Sequence, residues 1–265
     1  MFGNNQYWYC GLLIFLLFIA INVGIIFLRK SPKASYATAY AIGAFLLVYK
    51  ICEYLYWQAI GRHMHFPVEF SALSYFIFGI FTTFRIKKCD CFAAFTAILA
   101  GFFYSVSFWI SPDSFVNGEE SKFLFAMAII NHHMLFAGGM LMLANVRRYE
   151  FKKTVYQHFI GIALMVGYSW LIYGCTNYSQ TEGKPIIIKI TDGQILQFLF
   201  PQGASLLGWQ LALYYVGVCV ALCAFIAAFY GLNAYGIKYR RKHSLNEDCF
   251  PDKLTDAFEI SRKPY

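Results

Sequence analysis

Charge is what this chain has least of. Only 14% of its 265 residues are Asp, Glu, Lys or Arg, while 59% are hydrophobic and 20% aromatic. That scarcity excludes a soluble domain, because one core of this size cannot bury so much apolar surface. Metal-ligand spacing is missing as well. The eight cysteines form no ligand pattern, and Cys219 and Cys223, four apart on one helix face, read as packing residues. No metal and no cofactor is therefore expected. No internal repeat is visible, so the inverted-repeat signature of many transporters is absent. The first apolar run lacks a preceding basic segment and a small-residue cleavage site. It reads as a retained helix and not as a signal peptide.

What the chain has instead is seven long apolar runs, at residues 7–28, 38–60, 67–84, 91–110, 123–145, 155–175 and 209–237. About 20 apolar residues are needed to cross the hydrocarbon core as an α-helix. Mean hydropathy is +0.50. The expectation is an all-α polytopic membrane protein with a seven-helix domain over residues 1–237 and a polar cytoplasmic tail over 238–265. The tail carries Pro251 and Pro264, with residues 253–260 as its one candidate short helix.

Basic residues follow every second boundary: Arg29, Lys30 and Lys33; Arg85, Lys87 and Lys88; Arg147, Arg148, Lys152 and Lys153; Lys238, Arg240, Arg241 and Lys242. Lys and Arg are retained on the cytoplasmic side, so the N-terminus is expected outside and the tail inside. The net charge of +8 follows from this topology and calls for no nucleic-acid partner. A cell membrane is the expected location, with membrane lipids as partners. Cys10 and Cys175 both fall near the outer surface, where a disulfide would survive; whether they pair stays open. Between the sixth and seventh runs, Lys184–Ile190 and Gln194–Phe200 flank Thr191-Asp192-Gly193. Asp-Gly between β-prone segments predicts a short hairpin lid over about 184–200.

Ionisable residues inside apolar runs are costly, about 2.5–3.5 kcal/mol even on insertion scales, and usually face a cavity or a partner. Here they are Lys50 and Glu53 in the second run, Glu69 opening the third, His132 and His133 in the fifth, and His158 in the sixth. At about 1.5 Å per residue, Glu53, Glu69, Ser71, Ser74 and His132 all fall in the outer half of the membrane. Three spans bringing polar groups to one level predict an outward-opening pocket. Plainer readings stand beside this one. Lys50 and Glu53 are three apart and suited to an internal ion pair. Glu69 is near the interface, and Ser71 and Ser74 are small enough to let helices approach. His132 and His133 point about 100° apart, so only one can face a given pocket. His158 reads as structural.

Three short motifs carry a resemblance. Pro67-Val-Glu-Phe-Ser-Ala72 resembles the Leu-Pro-Leu-His/Glu-Leu-Cys-Ser opening of the third helix in YwaF-like integral membrane proteins and their eukaryotic transmembrane-protein-164 relatives. Ile130-Asn-His132 is similar to that family's Phe-x-x-Ser-His. Cys175-Thr-Asn-Tyr178, followed by Lys184-Pro185, is similar to its Gly-Thr-Asn-Tyr…Lys-Pro. The resemblance covers most of residues 38–235 and implies seven helices with the N-terminus outside. In the eukaryotic branch it implies phospholipid acyl transfer, with a cysteine nucleophile at the position of Ser71 and a histidine base at that of His132. It also places Asn177 and Tyr178 beside the substrate. Here serine replaces cysteine, and a serine hydroxyl needs an aligned base and an oxyanion site.

Three functions remain open from the residues. The first is acyl transfer or ester hydrolysis, with Ser71 attacking, His132 accepting its proton and Glu53 or Glu69 orienting the ring. The second is binding or transport of a small solute or lipid by Lys50, Glu53, Glu69 and His132. The third is a structural role, in which these groups only hold the bundle together.

Overall fold

The computed structural model describes residues 8–27, 32–61, 66–110, 112, 122–145, 148–176, 184–193 and 208–243. Among them every regular element is a helix. They are α1 (Trp8–Phe27), α2 (Pro32–Ala59), α3 (Phe70–Thr83), α4 (Asp90–Ile110), α5 (Lys122–Asn145), α6 (Phe151–Cys175), α7 (Ile186–Thr191) and α8 (Gly208–His243). Each of the seven apolar runs yields one long element, but six of them, α1, α2, α4, α5, α6 and α8, are long and apolar enough to cross a membrane. The 14-residue α3 is apolar but shorter. At 1.5 Å per residue it covers about 21 Å, against about 30 Å of hydrocarbon.

The ends of α3 explain its brevity. Pro67 holds the residue before it out of the helical region, and Glu69 is still extended, at φ −71° and ψ 146°. At the other end Arg85 adopts φ 54°. Its N–H bonds the Thr82 carbonyl at 3.2 Å and the Ile86 N–H bonds that of Phe81 at 2.8 Å. This is the paired closure of a Schellman motif, here without glycine.

The centre of the bundle is α2, α3, α4 and α5, with α1 against α4 and α5. Small residues set the spacing. A Cβ on Gly139 would lie 2.9 Å from the Ala94 carbonyl oxygen, and one on Gly101 would lie 3.0 Å from that of His132. Only glycine allows α4 and α5 to approach so closely. Further out, α8 is stitched to the end of α5. The Asn233 side chain accepts from the Tyr149 N–H at 2.8 Å and donates to the Leu143 carbonyl at 2.5 Å. Cys219 and Cys223 are exposed on α8, so they do not pack inside the bundle as expected. Cys10 and Cys175 are exposed thiols and form no disulfide.

The hairpin expectation needs correction. Most of its first arm, Lys184–Ile190, lies in the short helix α7, Ile186–Thr191; the second arm, 194–200, lies outside the described residues. A two-residue type I′ hairpin turn needs positive φ at both central residues. Asp192 has φ −93° and only Gly193 is positive, at 78°. The Asp-Gly pair therefore ends a helix, with glycine in the left-handed position that follows many helices. Three other elements anchor α7. Trp170 of α6 donates from Nε1 to Thr191 Oγ1 at 2.9 Å. Tyr214 and Tyr215 of α8 donate to the Ile190 and Thr191 carbonyls, each at 2.8 Å. Glu69, just before α3, accepts the Ile186 N–H at 3.1 Å. Ile187 and Ile188 are buried beneath. Lys184 Nζ donates to Asp192 Oδ2 at 2.8 Å, closing the segment on itself. That hydrogen bond raises the Lys184 ammonium pKa above its ordinary value.

Candidate functional site

A chain of polar and aromatic side chains crosses the central four helices. It begins on α2, where Lys50 and Glu53 form an ion pair one helical turn apart and the Tyr49 hydroxyl donates to the second Glu53 oxygen at 3.3 Å. Both ionic side chains are less than one-fifth exposed. The Lys50 ammonium also lies 4.7 Å from the centre of the Tyr75 ring on α3, a cation–π contact. Tyr75 meets the His132 ring of α5 edge-on at 5.2 Å. His132 in turn stacks on Tyr104 of α4 at 3.7 Å and 8°. The Tyr75 hydroxyl is buried and has no hydrogen-bond partner.

His132 Nδ1 lies 2.8 Å from the Ala128 carbonyl one turn earlier in α5. A carbonyl oxygen only accepts, so Nδ1 carries the proton and Nε2 the lone pair. His133 points elsewhere, as adjacent helical residues must. It stacks on Phe18 of α1 at 3.8 Å.

Beside this chain a cavity of about 550 Å³ is lined by Tyr49, Cys52, Glu53, Tyr56 and Trp57 of α2, by Ile60 just past its end, and on α5 by Phe123 and Leu124. Glu53 is among the lining residues, while Lys50, its ion-pair partner, is not and reaches toward Tyr75. The cavity therefore sets one acidic residue among aromatic ones. Glu53, Tyr56, Trp57 and Ile60 recur at intervals of three or four, so α2 supplies one continuous wall.

Of the residues that sequence reasoning groups together, Lys50 and Glu53 pair directly, and Tyr75 stands between Lys50 and His132. The other candidates are placed differently. Ser71 is on α3, half-buried and one turn before Tyr75, and shares no hydrogen bond with His132. Ser74 donates to the Phe70 carbonyl of its own helix at 2.7 Å. Glu69 holds the start of α7. Asn177 and Tyr178 lie outside the described residues. His158 sits in a separate box, with Phe95 at 4.6 Å and Phe229 at 5.5 Å, and its Nε2 is 4.0 Å from Cys91 Sγ. The residues that sequence reasoning missed are the aromatic ones, Tyr49, Tyr56, Trp57, Tyr75 and Tyr104. On α2 their spacing around Glu53 was a usable signal. Nothing local marks Tyr75 or Tyr104, which meet His132 only through packing of different helices.

Chemically, a carboxylate ringed by tyrosine and tryptophan suits a cation. Aromatic faces attract ammonium groups, most strongly where water is excluded. Among the described residues no three His, Cys, Asp or Glu side chains are grouped to hold a metal ion. No protein-family model matches the chain, and neither does any curated protein or solved structure.

Proposed function

We propose that this chain is a multi-pass cell-membrane protein, related to the YwaF-like group, that binds the ammonium head of an amphiphile in the cavity beside Glu53. In this reading all seven long helices cross the bilayer, α3 with its short span included, and the N-terminus is outside. Membrane lipids are then the source of ligands, and the cavity opens toward the outer leaflet. The observation that carries the proposal is Glu53 as the one acidic residue lining an otherwise aromatic and apolar cavity. An arriving ammonium replaces Lys50 as its nearest counter-ion, while Tyr49, Tyr56 and Trp57 supply ring faces.

The test is equilibrium binding of hexyltrimethylammonium, and of its uncharged tert-butyl analogue, to the full chain in phosphatidylcholine nanodiscs. Trp57 fluorescence serves as the readout. The charged probe is expected to bind at least about tenfold more tightly than the neutral one, and Glu53→Gln to erase the difference. Equal binding of the two probes to the wild-type protein sinks the reading.

Acyl transfer is a second reading, favoured by one observation: the hydrogen bond to Ala128 leaves His132 Nε2 as a proton acceptor. Ser71 Oγ would attack an ester carbonyl, its proton passing to Nε2 and then to the departing alcohol, with the acyl group left on Ser71. The Ala128 carbonyl, in place of a carboxylate, orients the ring. Comparing the acyl composition of membranes that contain wild-type or His132→Ala protein tests this; identical compositions remove it.

A further inference from the structure

The cavity beside Glu53 offers more ring face than hydrogen-bonding capacity, and that balance discriminates among ammonium groups. Each Glu53 oxygen already has a donor, Lys50 on Oε2 and the Tyr49 hydroxyl on Oε1 at 3.3 Å. Among the other lining side chains only the Tyr49 and Tyr56 hydroxyls bring an oxygen acceptor. The Trp57 ring nitrogen donates and cannot accept, and the Cys52 sulfur accepts weakly. Ile60, Phe123 and Leu124 do neither.

A primary ammonium carries three N–H donors. To reach Glu53 it must take the place of Lys50, itself a primary ammonium and tethered one turn away on the same helix. That exchange swaps one set of N–H bonds for its equal and strands the remaining donors over aromatic and apolar surface. A fully alkylated ammonium has no N–H to satisfy. Its charge spreads over methyl groups, which lie well against ring faces. Such faces are open here: Tyr56 is 55% exposed and Phe123 68%. The Tyr56 and Trp57 rings stand 5.6 Å apart and inclined at 59°, so they form two walls and not a closed stack. The displaced Lys50 keeps the Tyr75 ring, 4.7 Å from its ammonium.

We propose that the cavity lined by Tyr49, Glu53, Tyr56, Trp57 and Phe123 selects a fully alkylated, choline-type ammonium head over a primary one. The inference rests on the ammonium-binding reading of the same cavity and narrows it to one ligand class.

The test uses the full chain in dodecyl maltoside micelles, which carry no ammonium group of their own. The probes are hexyltrimethylammonium, hexylammonium and the uncharged tert-butyl analogue, at neutral pH, where both amines are cationic. Cys52 is an exposed thiol on the cavity lining, so occupancy should slow its alkylation by iodoacetamide, read by peptide mass spectrometry. Cys10, exposed on α1 and outside the cavity, is the internal control. Half-maximal protection of Cys52 is expected at about tenfold lower concentration of the trimethylated probe than of the primary one. Trp57→Leu should cut that preference to about twofold, with both cations still ahead of the neutral probe. Phe123→Leu, at an exposed position, should cut it in the same direction and keeps the test decisive if Trp57→Leu fails to fold. Equal protection by the two cations, both better than the neutral probe, overturns this inference and leaves the ammonium reading standing. A tenfold preference undiminished in both variants also overturns it, since the rings would not be its source. If neither cation surpasses the neutral probe, the ammonium reading itself falls and the selectivity with it.

Discussion

Lys50 and Glu53 sit inside a helical bundle as a pair, each supplying the other's counter-ion. Removing one partner of a buried pair costs about 3–5 kcal/mol, mostly from the charge left behind. Some exposure remains on both side chains, which puts the cost at the low end. Lys50→Met is therefore expected to lower stability by about 3 kcal/mol, and the double variant Lys50→Met, Glu53→Met to recover most of it. Unfolding midpoints in mixed detergent micelles measure this; additive single-variant losses would contradict it. The pairing was legible from its spacing of three residues on one helix. So was the divergence of His132 and His133, which backbone geometry dictates. Tyr75 and Tyr104 were not legible, because their contacts with His132 join helices that the sequence does not register against each other.

At the scale of the element, α7 shows how one local signal serves two structures. Asp-Gly promises a positive φ, and both a hairpin turn and a helix end can use it. The choice falls to tertiary bonds from Trp170, Tyr214, Tyr215 and Glu69, which no local pattern encodes. Gly193 is held at φ 78°, and a Cβ there would lie 2.7 Å from Leu211 Cδ1. Gly193→Ala is expected to loosen α7 by about 1–2 kcal/mol, seen as faster hydrogen exchange at the Ile188 and Lys189 amides while core helices stay protected. Alkaline pH should act on the same segment. The Lys184 pKa is raised in the folded state above its ordinary 10.5. Its bond to Asp192 therefore contributes fully below that value and is lost as pH climbs through the raised one. Trp170, in a variant whose other tryptophans are phenylalanine, should report release of α7 in that alkaline window. Asp192→Asn should remove the pH dependence; a transition that persists in it would assign the release to another group.

For the whole molecule, hydrophobic length made the helices readable, and it is also where α3 departs from the simple count. Its 14 residues cover about two-thirds of the hydrocarbon thickness, and a short span crosses only if the bilayer thins or flanking residues reach outward. Arg85, Lys87 and Lys88 follow α3, and such residues extend readily to an interface. In the proposed topology the same loop charges put the start of α4 on the cytoplasmic side. Cys89 sits at that boundary, whereas Cys10 and Cys175 are exposed near the start of α1 and at the end of α6. In intact cells carrying single-cysteine variants, a membrane-impermeant maleimide should therefore label Cys10 and Cys175, and reach Cys89 only after the membrane is opened. If Cys89 labels together with Cys10, α3 does not cross, and the alternation of basic loops has misplaced every helix after it.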